Sequence, residues 1–329
     1  MPGERNGSLR AEPRSAGIAA ARRIPVDWPR DRDFRILAID GGGIRGVFPA
    51  SVLAALEQRF LAGASIAQYF DLIVGTSTGG IIALGLAAGL PASSLRDLYR
   101  DRGNEIFPPG GVGRLGALRR WLKDRSRLFR YSYDSAALEG TLRSVIGKRR
   151  LGDARTRLCI PSFEGRYGEV FVFKTPHHPD FKKDLYEPMV KVALATAAAP
   201  TYFRPHRDGG YTFVDGGIWA NNPVMIGLTE ALTSFSVERD RVRILSIGCG
   251  SDPYTINGTK VFLGGMLYWR DIIVAAMRLQ SQTALGQAGL LIGPENLLRI
   301  DIPKEIPVIP LDAWRTAVAP LPTAALAEI

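Results

Sequence analysis

Short apolar runs alternate with longer segments of helical apolar spacing along most of the chain. Residues 34–40 form an apolar run that predicts a strand, and residues 49–60 follow with helical spacing. Residues 70–74 form a second strand-like run, and residues 78–90 continue as an apolar, Ala-rich helix. This order of strand, helix, strand and helix favours an α/β fold with a parallel sheet covered by helices.

The same alternation continues through the second half of the chain. Strands are predicted at residues 157–162, 169–174, 211–214, 242–247 and 297–302, and helices at residues 188–199, 223–235 and 269–291. The first two of these strands predict a hairpin around Gly165 and Gly168. Nothing marks a second domain. We therefore predict one folded unit over residues 34–315, a disordered basic arm at 1–33 and a tail at 316–329.

The composition is that of a soluble globular protein, with 46% hydrophobic and 22% charged residues. The longest apolar stretches are short and interrupted by glycine, so no membrane-spanning helix is predicted. Residues 1–30 lack the apolar core of a secretory signal, and the strand-like surroundings of Cys159 and Cys249 indicate buried thiols rather than a disulfide framework. These features predict a cytoplasmic protein. No Cys/His spacing indicates a metal site.

Positive charge is concentrated in one segment of the chain. The net charge is +10, and residues 106–130 contribute +6 of it. A basic surface suits anionic lipid headgroups or a nucleotide phosphate. A solvated basic loop explains the same composition.

The segment Gly75-Thr76-Ser77-Thr78-Gly79 follows an apolar strand and precedes an apolar helix. A G-x-S-x-G sequence in this context predicts a nucleophile elbow, with the serine hydroxyl at the carboxyl edge of the sheet. The two glycines allow strand and helix to pack closely around the turn. Ser77 is therefore the candidate nucleophile for attack on a carbonyl carbon. A glycine- and threonine-rich turn without chemistry is the alternative.

Few residues of the chain are candidates for the general base that activates Ser77. The only histidines are His177, His178 and His206, and none lies late in the chain, where an α/β-hydrolase places its histidine. Asp215, which ends a strand and is followed by Gly216 and Gly217, is the better candidate. Chain order alone leaves His206 open, and Asp215 taken alone fits an ordinary Asp-Gly turn.

A third motif is the glycine loop of residues 41–46, between the first strand and the first helix. Backbone N–H groups of such a loop can converge on an anion, and Arg45 adds a positive charge. The loop also fits G-x-G-x-x-G, the dinucleotide-binding fingerprint. That interpretation requires an acidic residue at the end of the second strand, where this chain has the elbow, so we reject it.

Taken in order, Asp40-Gly41-Gly42-Gly43-Ile44-Arg45-Gly46, the elbow and Asp215-Gly216-Gly217 resemble the three motifs of the patatin-like phospholipases. The resemblance implies a three-layer α/β/α fold with a mostly parallel central sheet and a nucleophile elbow. It implies a lipid acyl hydrolase with a Ser77–Asp215 dyad and no metal or other cofactor for the chemistry. It assigns the oxyanion hole to Gly42, Gly43 and Arg45, and structural roles to the motif glycines Gly41, Gly46, Gly75, Gly79, Gly216 and Gly217.

Residues 200–203, 219–223 and 245–250 are most similar to bacterial cyclic-dinucleotide-activated phospholipase effectors of CBASS anti-phage defence. This resemblance implies a cyclic dinucleotide activator and peripheral contact with the phospholipid membrane at the inner, cytoplasmic surface. It also implies homo-oligomerisation on activation and no DNA or RNA partner. The arginines of residues 114–130 and 148–150 are suited to phosphate oxygens.

Two other functions stay open from the residues alone. One is a constitutive soluble esterase or lysophospholipase. The other is a non-enzymatic lipid- or nucleotide-binding protein on the same scaffold.

Overall fold

The computed structural model describes residues 23–107, 132–250 and 272–329. In these ranges the strands form one eight-stranded sheet in the order β5-β6-β3-β2-β1-β7-β8, with β4 paired to β3. The strands are β1 (Phe34–Ile39), β2 (Leu72–Gly75), β3 (Arg157–Glu164), β4 (Glu169–Lys174), β5 (His206–Asp208), β6 (Tyr211–Asp215), β7 (Val242–Ile247) and β8 (Leu297–Ile300). The predicted strands are all present.

The centre of the sheet is parallel. Strand β1 pairs in parallel with β2 and β7, and β2 with β3, whereas β4, β5 and β6 join through antiparallel pairs. In this register Ile39 lies opposite both Gly75 and Ile247, so β1, β2 and β7 end at one edge. Strand β6 runs the other way, and Asp215 lies opposite Ser162 of β3. The pairing therefore brings Asp215 towards the edge where β2 ends.

Helices cover both faces of the sheet. They are α1 (Val47–Phe60), α2 (Thr78–Ala87), α3 (Ala92–Ile106), α4 (Ser135–Ile146), α5 (Met189–Thr196), α6 (Gly217–Ala220), α7 (Val224–Ser234), α8 (Ile272–Ile292), α9 (Trp314–Ala317) and α10 (Pro320–Ala327). Alternate residues of β1 enter two separate cores, as the period of a strand requires. Leu37 and Ile39 pack with α1 and α2, and Ile36 and Ala38 pack with α7 and α8. The predicted three-layer α/β/α fold is confirmed.

The folded unit extends beyond the predicted limits of 34 and 315. In the predicted tail, Leu321 and Ala325 of α10 are fully buried in the core that contains α1. In the predicted arm, Val26 forms a β-bridge with Phe235, and Trp28 is buried. The sequence pattern missed these segments because each is too short to show a period, and each packs against residues that are distant along the chain.

Some of the predicted features lie outside the described residues. These are most of the arm, at residues 1–22, and the basic stretch within 108–131. Within the described ranges, no helix combines the length and the hydrophobicity that crossing a bilayer requires.

Candidate active site

Ser77 occupies the sharp turn between β2 and α2. Its backbone has φ 54° and ψ −120°, a strained conformation for a residue with a side chain. A Cβ atom at Gly75 would lie 2.2 Å from the carbonyl oxygen of Gly79, and one at Gly79 would lie 2.3 Å from that of Ile39. The turn can close only with glycine at both positions, and this closure presents the Ser77 hydroxyl at the sheet edge.

Two threonine hydroxyls connect the elbow to a neighbouring strand and to two helices. The amide of Ser77 donates to Thr196 Oγ1 at 3.0 Å, and Thr196 Oγ1 donates to the carbonyl of Pro161 at 2.6 Å. Thr76 Oγ1 donates to the carbonyl of Ala220 at 2.6 Å. These buried hydrogen bonds connect the elbow to β3, α5 and α6. Thr196 was not among the predicted site residues, and its position in an Ala-rich helix was its one signal in the sequence.

Asp215 lies within hydrogen-bond distance of Ser77. Ser77 Oγ donates to Asp215 Oδ2 at 2.6 Å, and the amide of Gly217 donates to Asp215 Oδ1 at 2.7 Å. Burial of the carboxylate raises the pKa of Asp215 to about 6, although the hydrogen bonds from Ser77 and Gly217 act in the opposite direction. A carboxylate with a raised pKa is a stronger base and is still ionised at neutral pH. Close packing fixes this turn, since a Cβ at Gly216 would lie 2.4 Å from the carbonyl oxygen of Pro161.

The glycine loop lies directly beside the elbow. The amide of Gly41 donates to the carbonyl of Asn221 at 3.0 Å, and a Cβ at Gly41 would lie 3.4 Å from that of Ser77. Gly46 contacts the elbow as well, because a Cβ there would lie 2.1 Å from Thr78 Oγ1. The amides of Gly42 and Gly43, by contrast, have no hydrogen-bond partner among the described residues. They are therefore free to donate to an anion.

Arg45 follows these two amides. Its Nε donates to the carbonyl of Gly42 at 3.4 Å, and the side chain lines the same cavity as Ser77 and Asp215. Close packing holds the loop from behind, since a Cβ at Gly42 would lie 2.2 Å from the Cβ of Cys249. The structure thus brings all the predicted site residues together at one edge of the sheet.

A cavity of about 790 Å³ contains these groups. Apolar side chains form much of its wall, among them Ile81, Leu98, Phe107, Leu142, Phe203 and Leu285. A cavity of this size with an apolar wall accommodates a hydrocarbon chain beside the reacting groups.

Beneath the glycine loop, Asp40 forms a buried ion pair that no pattern in the sequence predicts. Arg299 donates to Asp40 through two nitrogens at 3.0 and 2.6 Å, and also to Ser246 and Asp301 at 2.7 Å. Burial outweighs the attraction of Arg299 and raises the pKa of Asp40 to about 6. Burial lowers the pKa of Arg299, but the carboxylates of Asp40 and Asp301 together raise it above its ordinary value. The pair is therefore charged at neutral pH. In the sequence, the one signal for this ion pair was Arg299, an arginine within the otherwise apolar strand β8.

The histidines lie elsewhere. His206 belongs to strand β5. His177 contacts Glu230, and His178 contacts the carbonyl of Ile24. None of the three histidines lines the cavity as formed by the described residues. This placement favours Asp215 over His206 as the base.

One cluster away from the cavity has the composition of a metal site. One ligand atom each of Cys159, His177 and Glu230 lies within 4.8 Å of the others. Glu230, however, already accepts a hydrogen bond from Lys174 Nζ at 2.5 Å, and burial keeps the pKa of the Cys159 thiol well above its ordinary value. The ammonium of Lys174 thus supplies the positive charge at this carboxylate.

Comparisons with known proteins match this architecture. A family model described as patatin-like phospholipase matches residues 37–228, which include the glycine loop, the elbow and Asp215. A cGAMP-activated phospholipase of Pseudomonas aeruginosa (strain BWHPSA011 / Pa011) is 38% identical over 260 residues, covering 78% of this chain and 75% of the relative. A cGAMP-activated phospholipase of Vibrio cholerae serotype O1 (strain ATCC 39315 / El Tor Inaba N16961) is 37% identical over 262 residues, covering 74% and 73%.

A solved structure, VipD from Legionella pneumophila, aligns with a TM-score of 0.43 and 14% identity, over 90% of this chain and 67% of that one. The family model spans more than half of the chain, and relatives more than 35% identical cover about three quarters of it. The chain belongs to the patatin-like phospholipase family.

Proposed function

We propose that this phospholipase hydrolyses carboxylic ester bonds of membrane phospholipids with Ser77 as nucleophile and Asp215 as general base. The observation that carries the proposal is the 2.6 Å hydrogen bond from Ser77 Oγ to Asp215 Oδ2, beside two free loop amides in an apolar cavity. A nucleophile, a base and oxyanion donors are the parts that acyl transfer requires.

In the first half of the reaction Asp215 accepts the proton of Ser77 Oγ as this oxygen attacks the ester carbonyl carbon. The carbonyl oxygen becomes an oxyanion, which accepts hydrogen bonds from the amides of Gly42 and Gly43 beside the positive charge of Arg45. The tetrahedral intermediate then breaks its bond to the alcohol oxygen. Asp215 returns the proton to that oxygen, and the lysolipid leaves an acyl-Ser77 ester behind.

In the second half Asp215 accepts a proton from a water molecule, whose oxygen attacks the acyl carbon. The second tetrahedral intermediate releases the fatty acid, and the proton on Asp215 returns to Ser77 Oγ. Every proton transfer takes place at Asp215, which explains why a histidine is not required.

The proposal includes regulation. The two relatives described above are each named cGAMP-activated phospholipase. We extend this property to the present chain, with a cyclic dinucleotide as activator, homo-oligomerisation on activation and action at the inner membrane surface of the cell. The arginines at 114–130 and 148–150 are the proposed contacts for phosphate, since guanidinium groups bind its oxygens in pairs. A constitutive soluble esterase would need no activator, and a non-enzymatic binding protein would have no use for the Ser77–Asp215 geometry.

The test combines the dyad with the activator. Purified protein is assayed on phospholipid vesicles with and without cGAMP, together with Ser77→Ala, Asp215→Asn and, as a matched control, His206→Ala. We expect hydrolysis only with cGAMP, loss of hydrolysis in the first two variants and near-normal turnover in the third. A fluorophosphonate probe should label the parent protein at Ser77.

Each part of the proposal has a contradicting result. Loss of activity in folded His206→Ala equal to that in Ser77→Ala would replace Asp215 by His206 as the base. Equal activity with and without cGAMP would remove the regulation and leave a constitutive hydrolase. Absence of both turnover and probe labelling would support the binding protein.

A further inference from the structure

Arg278 stands on α8 and lines the same cavity as Ser77 and Asp215. It lies beyond the residues that match the family model and outside the glycine loop, the elbow and the Asp215-Gly216-Gly217 motif. Arg278 therefore places a positive charge in the wall of the cavity that contains the reacting groups.

Helix α8 is fastened to the segment that follows the proposed base. Met277 Cε lies 3.0 Å from the position that a Cβ would take at Gly217. Gln280 and Asn222 exchange two hydrogen bonds of 3.2 Å each, and Asn221 Nδ2 donates to Ser281 Oγ at 3.3 Å. These contacts of its helix neighbours fix the backbone position of Arg278 relative to the segment that follows Asp215.

Among the residues that the structure describes, none forms a hydrogen bond with Arg278 Nε. This Nε is buried, and in the described part of the chain no carboxylate forms an ion pair with Arg278. Arg299, in the same cavity, donates instead to Asp40, Asp301 and Ser246. A buried donor without an acceptor costs free energy, so an anionic ligand that supplies the acceptor binds favourably here.

We propose that Arg278 binds the phosphodiester of the glycerophospholipid whose ester carbonyl lies at Ser77. This inference rests on the proposed function. A guanidinium donates to two phosphate oxygens at once, and the phosphate is attached to the same glycerol unit as the ester. Arg278 thus selects phospholipids over neutral esters of equal chain length, while Ser77 and Asp215 act on both.

A cyclic dinucleotide carries phosphodiesters as well. The location of Arg278 favours the lipid, because the cavity that it lines contains the reacting serine and has an apolar wall suited to acyl chains. The experiment separates these two sources of phosphate.

The experiment first titrates cGAMP for each variant and then measures kcat and KM at saturating cGAMP on two soluble substrates, dihexanoylphosphatidylcholine and the neutral ester p-nitrophenyl hexanoate. Arg278→Gln should raise KM for the phospholipid about tenfold or more, the loss of a charge-assisted hydrogen bond. Its kcat/KM for the neutral ester should stay within twofold of the parent. Arg278→Lys should recover much of the loss, and Arg207→Gln, on an exposed edge strand, should leave both substrates unaffected.

Binding gives a readout that does not depend on turnover. A dihexyl ether analogue of the phospholipid, which cannot be hydrolysed, should bind the parent protein in calorimetry and bind Arg278→Gln about tenfold more weakly. Failure of the proposed function would appear separately, as a parent protein with neither turnover nor fluorophosphonate labelling.

Three results would overturn the inference. The first is an equal loss on both substrates, which indicates a structural role. The second is no loss on the phospholipid. The third is a higher cGAMP requirement with an unchanged ratio of phospholipid to neutral ester activity, which assigns Arg278 to the nucleotide.

Discussion

At the scale of single residues, the two proposed catalytic residues are each held in a state of unfavourable free energy. Ser77 has a positive φ, and Asp215 is 5% exposed with its charge away from water. Both states persist because neighbours impose them: the elbow glycines and Thr196 hold Ser77, and the Gly217 amide holds Asp215. The reacting groups are thus oriented before substrate arrives, which lowers the barrier to acyl transfer.

The raised pKa of Asp215 predicts the pH dependence of hydrolysis. The base must be ionised, so kcat/KM should rise with pH through about 6 and reach a plateau near neutrality. Below the pKa it should fall roughly tenfold per pH unit. A pH series on p-nitrophenyl hexanoate measures this. A flat profile between pH 5 and 8 would contradict the assignment, and a midpoint that moves in Asp40→Asn would transfer the effect to Asp40.

The same shift makes a stability prediction. The folded pKa of Asp215 exceeds the ordinary 3.8, so its contribution favours the folded state at low pH and is lost as pH rises to about 6. Between low pH and pH 8 this contribution of Asp215 to the free energy of unfolding changes by about 3 kcal/mol. Asp215→Asn removes the buried charge and keeps the shape, so its free energy of unfolding at pH 8 should exceed that of the parent by an amount of this order. Denaturant titrations at pH 4 and 8 check the sign, and a larger gain at pH 4 would contradict it.

Gly42 offers a prediction about the glycine loop. Its Cβ would overlap the Cβ of Cys249, at 2.2 Å, so Gly42→Ala should displace the loop and its free amides. Losing one oxyanion donor lowers turnover roughly 100- to 1,000-fold. Removing the clash with Cys249→Gly should restore part of the turnover to the double variant. Near-normal turnover in Gly42→Ala alone would remove this loop from the mechanism.

At the scale of elements, the loop is anchored by an ion pair across three strands. Asp40 follows β1, Arg299 belongs to β8, and Ser246 of β7 lies between them in the sheet register and bonds to Arg299. The carboxylate that precedes the glycine loop is thus fixed by the strand at the far side of β7. Sheet pairing, and not the loop's own sequence, determines where the loop begins.

Arg299→Met should destabilise the protein by about 3–5 kcal/mol near neutral pH, because it leaves the Asp40 carboxylate buried without a counter-ion. The loss should shrink below pH 6, where Asp40 takes up a proton. Denaturant unfolding at pH 5 and pH 8 tests both statements. Arg243→Met, whose ion pair with Asp33 is partly exposed, is the matched control and should cost about 1 kcal/mol or less. Equal losses in the two variants would contradict the anchoring role.

At the scale of the whole molecule, the two hydrophobic cores lie on opposite faces of the sheet and support different parts of the structure. The core around α1 and α2 continues into the cavity wall and includes the chain end, whereas the core around α7 and α8 holds the other face of the sheet. Elements from both faces meet at the carboxyl edge of β1 and β2, where parallel sheets generally place their sites. The active site therefore depends on the completed assembly of layers.

The C-terminal helix provides a test of the limits of this assembly. Leu321 is fully buried against the core, and Leu326 on the same helix is 50% exposed. Leu321→Ala should cost about 2–5 kcal/mol of stability because it opens a cavity, and Leu326→Ala should cost much less. Thermal or denaturant unfolding of the two variants checks this contrast. A loss of stability below 1 kcal/mol in Leu321→Ala would indicate that residues 316–329 are a tail outside the folded unit.

The sequence by itself determined the strand and helix order, the elbow and the glycine loop, because these depend on local periodicity and on glycine at close contacts. Its assignment of Ser77 and Asp215 as a dyad stays a prediction. Tertiary structure alone decided that β6 runs antiparallel and brings Asp215 to Ser77, across 138 positions of sequence. It also decided that Arg299 pairs with Asp40, that Arg278 Nε has no partner among the described residues and that Leu321 and Ala325 of α10 are buried. These facts depend on contacts between distant segments, and no local pattern encodes which distant side chain will satisfy a buried charge.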